Sequence, residues 1–180
     1  MKRRALVAVL TGVLMVSLAG CGSDSAGGAA STQVGPVSFE LPEGIQEVYR
    51  DAEREGGWVA EYADDQESAG AFIGVWRFRE TPPSATHAAT EMIAQVRASG
   101  THPGIRTRED GKVDIPGAED ASIINFSLEG SGADITGRWW MIVDPGQDIA
   151  VTVEYYGSEV TEEDLDIFER TLNLDSGQSW

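Results

Sequence analysis

A twenty-residue segment near the C-terminal end of the chain, GRWWMIVDPGQDIAVTVEYY at positions 137–156, constrains the fold more than any other. Two runs rich in large apolar and β-branched residues flank DPGQD (144–148), whose proline and glycine favour a turn, so the segment predicts a β-hairpin. If all five residues lie in the loop, Arg138 faces Glu154, an opposite-charge pair that supports this register. A four-residue loop would shift the register by one residue and change every cross-strand pair.

Hydrophobic patterns elsewhere in the chain predict further strands and two helices. The strands are predicted at 37–41, 58–63, 71–78, 111–117 (a short strand and a turn) and 122–128. A first helix begins after Ser84 and ends at Gly100, and its apolar stripe comprises Ala85, Ala88, Ala89, Met92, Ile93 and Val96. A second helix begins after Thr161, where Asp164 completes a capping box. This order of elements predicts an α+β domain, an antiparallel sheet with helices packed on it.

The N-terminal end has the three parts of a secretory signal peptide: the basic start MKRR, an uncharged apolar run at 5–20 and a small-residue end. The run is short for a membrane span, which takes about 20 apolar residues. Its final LAGC, ending at Gly20 and Cys21, resembles the bacterial lipobox, in which signal peptidase II cuts before the cysteine and a diacylglycerol is attached to its sulfur. We therefore predict a lipoprotein signal peptide at 1–20 and an anchor at Cys21, on the extracytoplasmic face of the cell membrane. The alternative is an ordinary secretory signal, which would leave an odd cysteine in an oxidising compartment.

Composition divides the rest of the chain into a tether, a domain and a tail, and its acidity argues against nucleic acid as a partner. The stretch 21–35 is rich in Gly, Ser and Ala and is predicted to be a lipidated flexible tether, followed by one domain at 36–174 and a frayed tail at 175–180. The chain has 13 Lys and Arg against 30 Asp and Glu, a formal net charge of −17, and signal cleavage would remove three basic residues and no acidic one. So acidic a surface repels phosphate backbones, and nucleic acid is a poor partner for it.

Three short stretches carry a resemblance to a known family: FELPEGI (39–45), DIPGAEDA (114–121) and FERTLNL (168–174), together with the hairpin. They resemble the actinobacterial lipoproteins of the LpqN/LpqT type, whose domain belongs to the PsbP-like α-β-α sandwich superfamily. The resemblance covers 36–174. It implies a central antiparallel sheet flanked by helices, and a non-enzymatic role as a binding, assembly or accessory factor. It brings no catalytic residues, and the acidity of this chain departs from the family.

The sequence lacks the familiar motifs of catalytic, cofactor and metal sites. Its two histidines, His87 and His102, belong to no nucleophile–base motif, and neither a G-x-S-x-G elbow nor a phosphate-binding glycine loop occurs. Its single cysteine is assigned to the lipid, which excludes cysteine metal ligands. The acidic run at 64–67 lacks the spacing of an EF-hand loop. We therefore predict that the protein is not an enzyme and that it has no cofactor and no metal site.

Aromatic side chains are the remaining candidates for a ligand or partner surface. A sheet covered on both faces would bury Trp139 and Trp140, and the alternative is that one Trp lines a groove with Trp76 or Tyr156. Trp76, Trp140 and Tyr156 are accordingly the candidate surface residues.

Three functions remain open at this point. The prediction we prefer is a lipid-anchored binding or accessory protein of the cell envelope, whose partners are the membrane, through the diacylglycerol, and an envelope protein or a small amphiphile. A carrier of a lipid or other amphiphile would need an apolar pocket of about 300 Å³ or more. A carboxylate-based hydrolase would need two carboxylates converging in a cleft, at least one with a perturbed pKa.

Overall fold

The computed structural model describes residues 30–51, 53–64, 70–100, 104–129 and 134–180, and within them the side chains of 109, 110 and 129 are not described. The predicted signal peptide, Gly20 and Cys21 of the predicted cleavage site, and the acidic run from 65 onward lie outside the described residues. None of the helices in the described part of the chain is long and apolar enough to cross a bilayer.

The described residues form ten strands, two α-helices and one short 3-10 helix. In chain order these are β1 (Ala30–Val34), β2 (Val37–Leu41), β3 (Gln46–Arg50), β4 (Gly57–Ala63), β5 (Ala71–Arg77), α1 (Ala85–Ser99), β6 (Ile105–Lys112), β7 (Asp120–Glu129), β8 (Asp134–Asp144), the 3-10 helix (Pro145–Gln147), β9 (Ile149–Gly157), α2 (Glu162–Glu169) and β10 (Asn173–Leu174).

The strands form two antiparallel sheets. Seven of them make the main sheet in the order β3-β4-β5-β9-β8-β7-β6, and β1-β2-β10 make a small one. The predicted α+β class, an antiparallel sheet with helices, is confirmed. The strand predicted at 111–117 is wrong in its bounds, since β6 begins at Ile105 and ends at Lys112, and a turn follows it at Pro116 and Gly117.

The hairpin of β8 and β9 is present, but its predicted register is wrong by one residue. Asp144 pairs with Ile149, which leaves a four-residue loop, and Glu154 lies opposite Trp139 rather than Arg138. Asp144 belongs to the strand because its side chain caps the 3-10 turn, accepting a hydrogen bond from the Gln147 amide at 3.2 Å. Sequence alone could not decide whether this aspartate closes the strand or opens the loop.

Successive side chains of β8 enter two separate cores on the opposite faces of the main sheet. Trp139, Met141 and Val143 pack with the buried residues of α1 on one face. Trp140 and Ile142 pack on the other with the buried residues of α2 and of the small sheet. Both tryptophans are buried, which is the first of the two alternatives drawn from the sequence.

Both helices begin where the sequence predicts, and α1 also ends there, whereas α2 ends at Glu169. Ser84 caps α1 by accepting from the His87 amide, and Gly100 ends it in the left-handed conformation at φ 65°. Thr161 and Asp164 form the full capping box of α2. These ends were readable because caps depend on local residue types rather than on tertiary packing.

The ends of the domain differ from their predictions. Residues 30–34, near the end of the predicted tether, form β1, which pairs with β2 along its whole length. The predicted tail is not frayed: the Asp175 amide donates to the Pro36 carbonyl at 2.8 Å, and the Trp180 ring lies 4.8 Å below the Arg77 guanidinium. Pairing of β10 with β2 brings the chain end back onto the domain, which local composition does not reveal.

Candidate functional site

The three aromatic candidates lie in different surroundings. Trp140 is 0 % exposed and donates from Nε1 to Glu169 at 2.9 Å, so it lines no surface groove. Trp76 and Tyr156 are half-buried on the face of the main sheet that carries α1. Trp76 packs edge-to-face on Trp58 with ring centres 5.2 Å apart, whereas Tyr156 packs on Phe72 at 5.0 Å. The sheet thus keeps Trp76 and Tyr156 on one face but in separate aromatic pairs.

A cleft of about 630 Å³ lies beside Trp76, between the turn that precedes β4, the end of β5 with its following loop, and α1. We call it the arginine cleft because Arg54, Arg77 and Arg79 all line it. Trp76 and Phe78 contribute rings to the wall. Its volume is within the usual range for small-molecule sites, about 300–1,000 Å³.

Backbone carbonyls hold two of these guanidinium groups in place. Arg54 donates from Nε to the Gly56 carbonyl at 3.0 Å and from a terminal nitrogen to the Trp58 carbonyl at 3.3 Å. Arg77 donates to the Arg54 carbonyl at 3.3 Å. A neutral carbonyl positions a guanidinium without cancelling its charge. A guanidinium has five N–H donors, so Arg54 retains donors for a ligand, whereas the Arg77 guanidinium lies over the Trp180 ring on the other face of the sheet.

The two glycines before β4 allow the arginines to approach the backbone. A Cβ on Gly57 would lie 3.2 Å from Nε of Arg54, and its φ of 97° is a conformation that side chains rarely adopt. A Cβ on Gly56 would lie 3.3 Å from Cβ of Arg79. The local sequence RE-GG-W therefore builds one wall of the cleft, with the glycines leaving the space that the arginines use.

The cleft has an excess of positive charge. Within the residues that the structure describes, none of its three guanidinium groups forms a salt bridge with a carboxylate. Two carboxylates, Glu80 and Glu91, also line it, and Glu91 pairs with His87 at 3.3 Å. In a chain with 30 acidic residues and a net charge of −17, a cleft lined by three arginines and two glutamates differs in charge from the rest of the protein.

A buried glutamate lies on the same sheet face. Glu154 is 6 % exposed and accepts a hydrogen bond from Nε1 of Trp139 at 2.9 Å. Burial raises its pKa to about 8, and the negative charge of Glu61 adds to the shift. Its carboxyl fills the space above Gly74, where an added Cβ would lie 2.9 Å from Oε1. Glu154 and Glu61 form the kind of carboxylate pair that a hydrolase would need, but Glu154 is enclosed rather than open to a cleft.

On the opposite face, Arg138 joins α2 to the sheet. It donates from Nε to Asn125 at 2.6 Å, and its terminal nitrogens lie 2.8–3.1 Å from Glu162, Asp166 and Glu169. The arginine side chain is 6 % exposed. The guanidinium is buried and three carboxylates of α2 neutralise its charge, so we assign this cluster to the positioning of α2 rather than to ligand binding. No group of three or more histidines, cysteines or acidic residues suited to a metal ion occurs within the described ranges.

Comparison with known proteins does not assign a family. No family model and no curated protein matches the chain. Among solved structures, LpqN, involved in cell envelope biogenesis of Mycobacterium tuberculosis, is similar at 11% identity and a TM-score of 0.49, covering 84% of this chain and 87% of that one. Protein PA94 of Pseudomonas aeruginosa, of unknown function, is similar at 15% identity and a TM-score of 0.34, covering 80% and 90%. Both scores lie below 0.5, so neither likeness supports a conclusion about function.

Sequence reasoning identified Trp76 but missed the arginines around it. Arg77 and Arg79 flank Phe78 at the end of a predicted strand, and Arg54 stands two residues before a glycine pair. In so acidic a chain, the arginines gathered in these two segments were the sequence signal that could have indicated the cleft. The sequence alone does not reveal the antiparallel pairing of β4 with β5, which brings the two segments together.

Proposed function

We propose that this protein is a lipid-anchored, extracytoplasmic binding or accessory protein of the bacterial cell envelope and that it is not an enzyme. The observation that carries the proposal is the sequence LAGC, which ends an apolar signal run at Cys21. A diacylglycerol provides two acyl chains, which is what stable anchoring without a membrane-spanning helix takes. Membership of the LpqN/LpqT type, with its PsbP-like sandwich, is part of the same proposal and rests on the sequence stretches at 39–45, 114–121 and 168–174.

The fold limits how far the binding domain can lie from the membrane. Eight residues, 22–29, separate Cys21 from the first residue of β1. Fully extended, they would span at most about 28 Å. The proposed ligand or partner must therefore meet the domain within a few nanometres of the membrane surface.

Metabolic labelling tests the anchor. The full-length protein is expressed in a bacterium that processes lipoproteins and is fed an alkyne-tagged fatty acid, alongside Cys21→Ser and the control variant Ser23→Ala. We expect label and membrane fractionation for the wild type and for Ser23→Ala, and neither for Cys21→Ser. A wild-type protein that carries no label and is recovered in the soluble extracytoplasmic fraction would refute the proposal.

A carrier of an amphiphile is the second function we consider, and the arginine cleft favours it. Its volume of about 630 Å³ exceeds the minimum of about 300 Å³ that we set for a carrier. Its lining combines the rings of Trp76 and Phe78 with charged groups, which suits a ligand with one polar end. The hydrolase has weaker support, since Glu154 is enclosed.

A further inference from the structure

We propose that the arginine cleft binds an anionic amphiphile, a ligand whose phosphate or carboxylate group contacts Arg54 and Arg79 and whose apolar part lies against Trp76 and Phe78. This inference rests on the proposed binding function and names the class of ligand. It adds a binding site to a chain whose sequence motifs predict only an anchor.

The first step of the argument is charge. Arginine presents donors in a planar fork that matches carboxylate and phosphate groups, and these charge-assisted hydrogen bonds are among the strong ones. The guanidinium group of Arg54 is fixed by the Gly56 and Trp58 carbonyls at 3.0 and 3.3 Å, which reduces the rotamer freedom that a ligand would have to remove. Among the described residues, no carboxylate forms a salt bridge with Arg54 or Arg79.

The second step is the apolar wall. Trp76 is held by its edge-to-face contact with Trp58, so its ring presents a fixed surface to the cleft. Pro82 is buried and Phe78 half-buried, and both line the same cavity. A free inorganic anion would use the arginines and leave this wall unused, whereas an amphiphile would use both.

The third step is selectivity. The negative charge over the rest of the protein repels anions in general, so an anion reaching the cleft must be held by local contacts. Glu80 and the Glu91–His87 pair lie in the same cleft and would disfavour an anion placed against them. They leave Arg54 and Arg79 as the position for the headgroup. A cationic or neutral headgroup would lose these contacts.

Isothermal titration calorimetry on the full-length chain in dodecyl maltoside micelles tests this, with empty micelles as the blank. The probes are octyl phosphate below its micelle concentration, octyl glucoside, which has the same chain but no charge, and inorganic phosphate. We expect octyl phosphate to bind about tenfold or more tightly than either of the other two probes. Octyl glucoside lacks the ionic contact with the arginines, and inorganic phosphate lacks the contact with the apolar wall. Binding should weaken as sodium chloride is raised, a readout that needs no variant.

A matched pair of variants locates the site. Arg54→Gln/Arg79→Gln should weaken octyl phosphate binding about tenfold or more, while Arg97→Gln/Arg170→Gln, which removes the same charge at two exposed positions outside the cleft, should stay within about twofold of wild type. The site would be overturned if octyl phosphate bound no more tightly than octyl glucoside. It would also be overturned if the two double variants lost affinity for octyl phosphate equally. Inorganic phosphate binding as tightly as octyl phosphate would overturn the amphiphile. Since the titration does not depend on the lipid at Cys21, its failure and that of the labelling experiment are distinct.

Discussion

Replacing Glu154 with glutamine should stabilise the protein at alkaline pH and leave it nearly unchanged in acid. The folded protein raises the pKa of Glu154 from the ordinary 4.5 to about 8, chiefly because the carboxyl is buried. The unfolded chain therefore loses this proton at lower pH than the folded one. The contribution of Glu154 to the free energy of unfolding is fully present below about pH 4.5 and is lost as the pH rises toward 8. This is the direction that proton linkage requires for an acid whose pKa is raised in the folded state.

The size of the effect follows from the same shift. A rise from 4.5 to about 8 corresponds to roughly 5 kcal/mol between the two protonation states. Glutamine resembles the protonated acid in shape and its side-chain oxygen can still accept from Nε1 of Trp139. We expect Glu154→Gln to match the wild-type free energy of unfolding within about 1 kcal/mol near pH 5 and to exceed it by several kcal/mol near pH 8.5.

Urea denaturation of the full-length chain at a series of pH values, followed by tryptophan fluorescence, measures this difference. Glu163→Gln, at an exposed position of α2, is the matched control and should show no comparable rise with pH. Equal pH dependence in wild type and Glu154→Gln would refute the assignment of a buried, neutral glutamic acid at this position. A large loss of stability at pH 5 would show instead that the ionised carboxylate is the stabilising form.

Three further substitutions test the structure by urea denaturation or amide exchange. Gly74→Ala should destabilise by about 1–3 kcal/mol, because its Cβ would lie 2.7 Å from the Trp58 ring, and an unchanged urea midpoint would contradict that packing. Thr161→Ala should lower the free energy of unfolding by about 1 kcal/mol, because the capping box is lost, and this should be measured as a lower urea midpoint. Arg138→Lys should raise amide exchange in α2, because one ammonium cannot hold four partners in the guanidinium geometry; unchanged exchange would contradict the role of Arg138 in positioning this helix.

Local signals in the sequence predicted local structure well. Ser84, Gly100, Thr161 and Asp164 mark the helix ends because capping depends on residues within one turn. The β8–β9 hairpin was likewise predictable from DPGQD. Its register was not, because the side chain of Asp144 caps the turn from within the strand, and the choice between four and five loop residues depends on that one contact.

Features that depend on distant pairing were missed. β1 and the ordered end at Trp180 arise from contacts with β2, Pro36 and Arg77, none of which composition reveals. The arginine cleft has the same origin, since Arg54 and Arg77 meet only because β4 pairs with β5. Trp76 was predicted as a candidate from its aromatic character, but the same reasoning also selected Trp140, which the second face of the sheet buries completely.

The most direct test of the account is the intact mass of the protein extracted from the membranes of a bacterium that processes lipoproteins. The account predicts a chain that begins at Cys21 and carries the added mass of a diacylglycerol, and that accumulates uncleaved when signal peptidase II is inhibited. A mature chain that begins at another residue, or one with an unmodified cysteine, would contradict the central claim that this domain works from a lipid anchor.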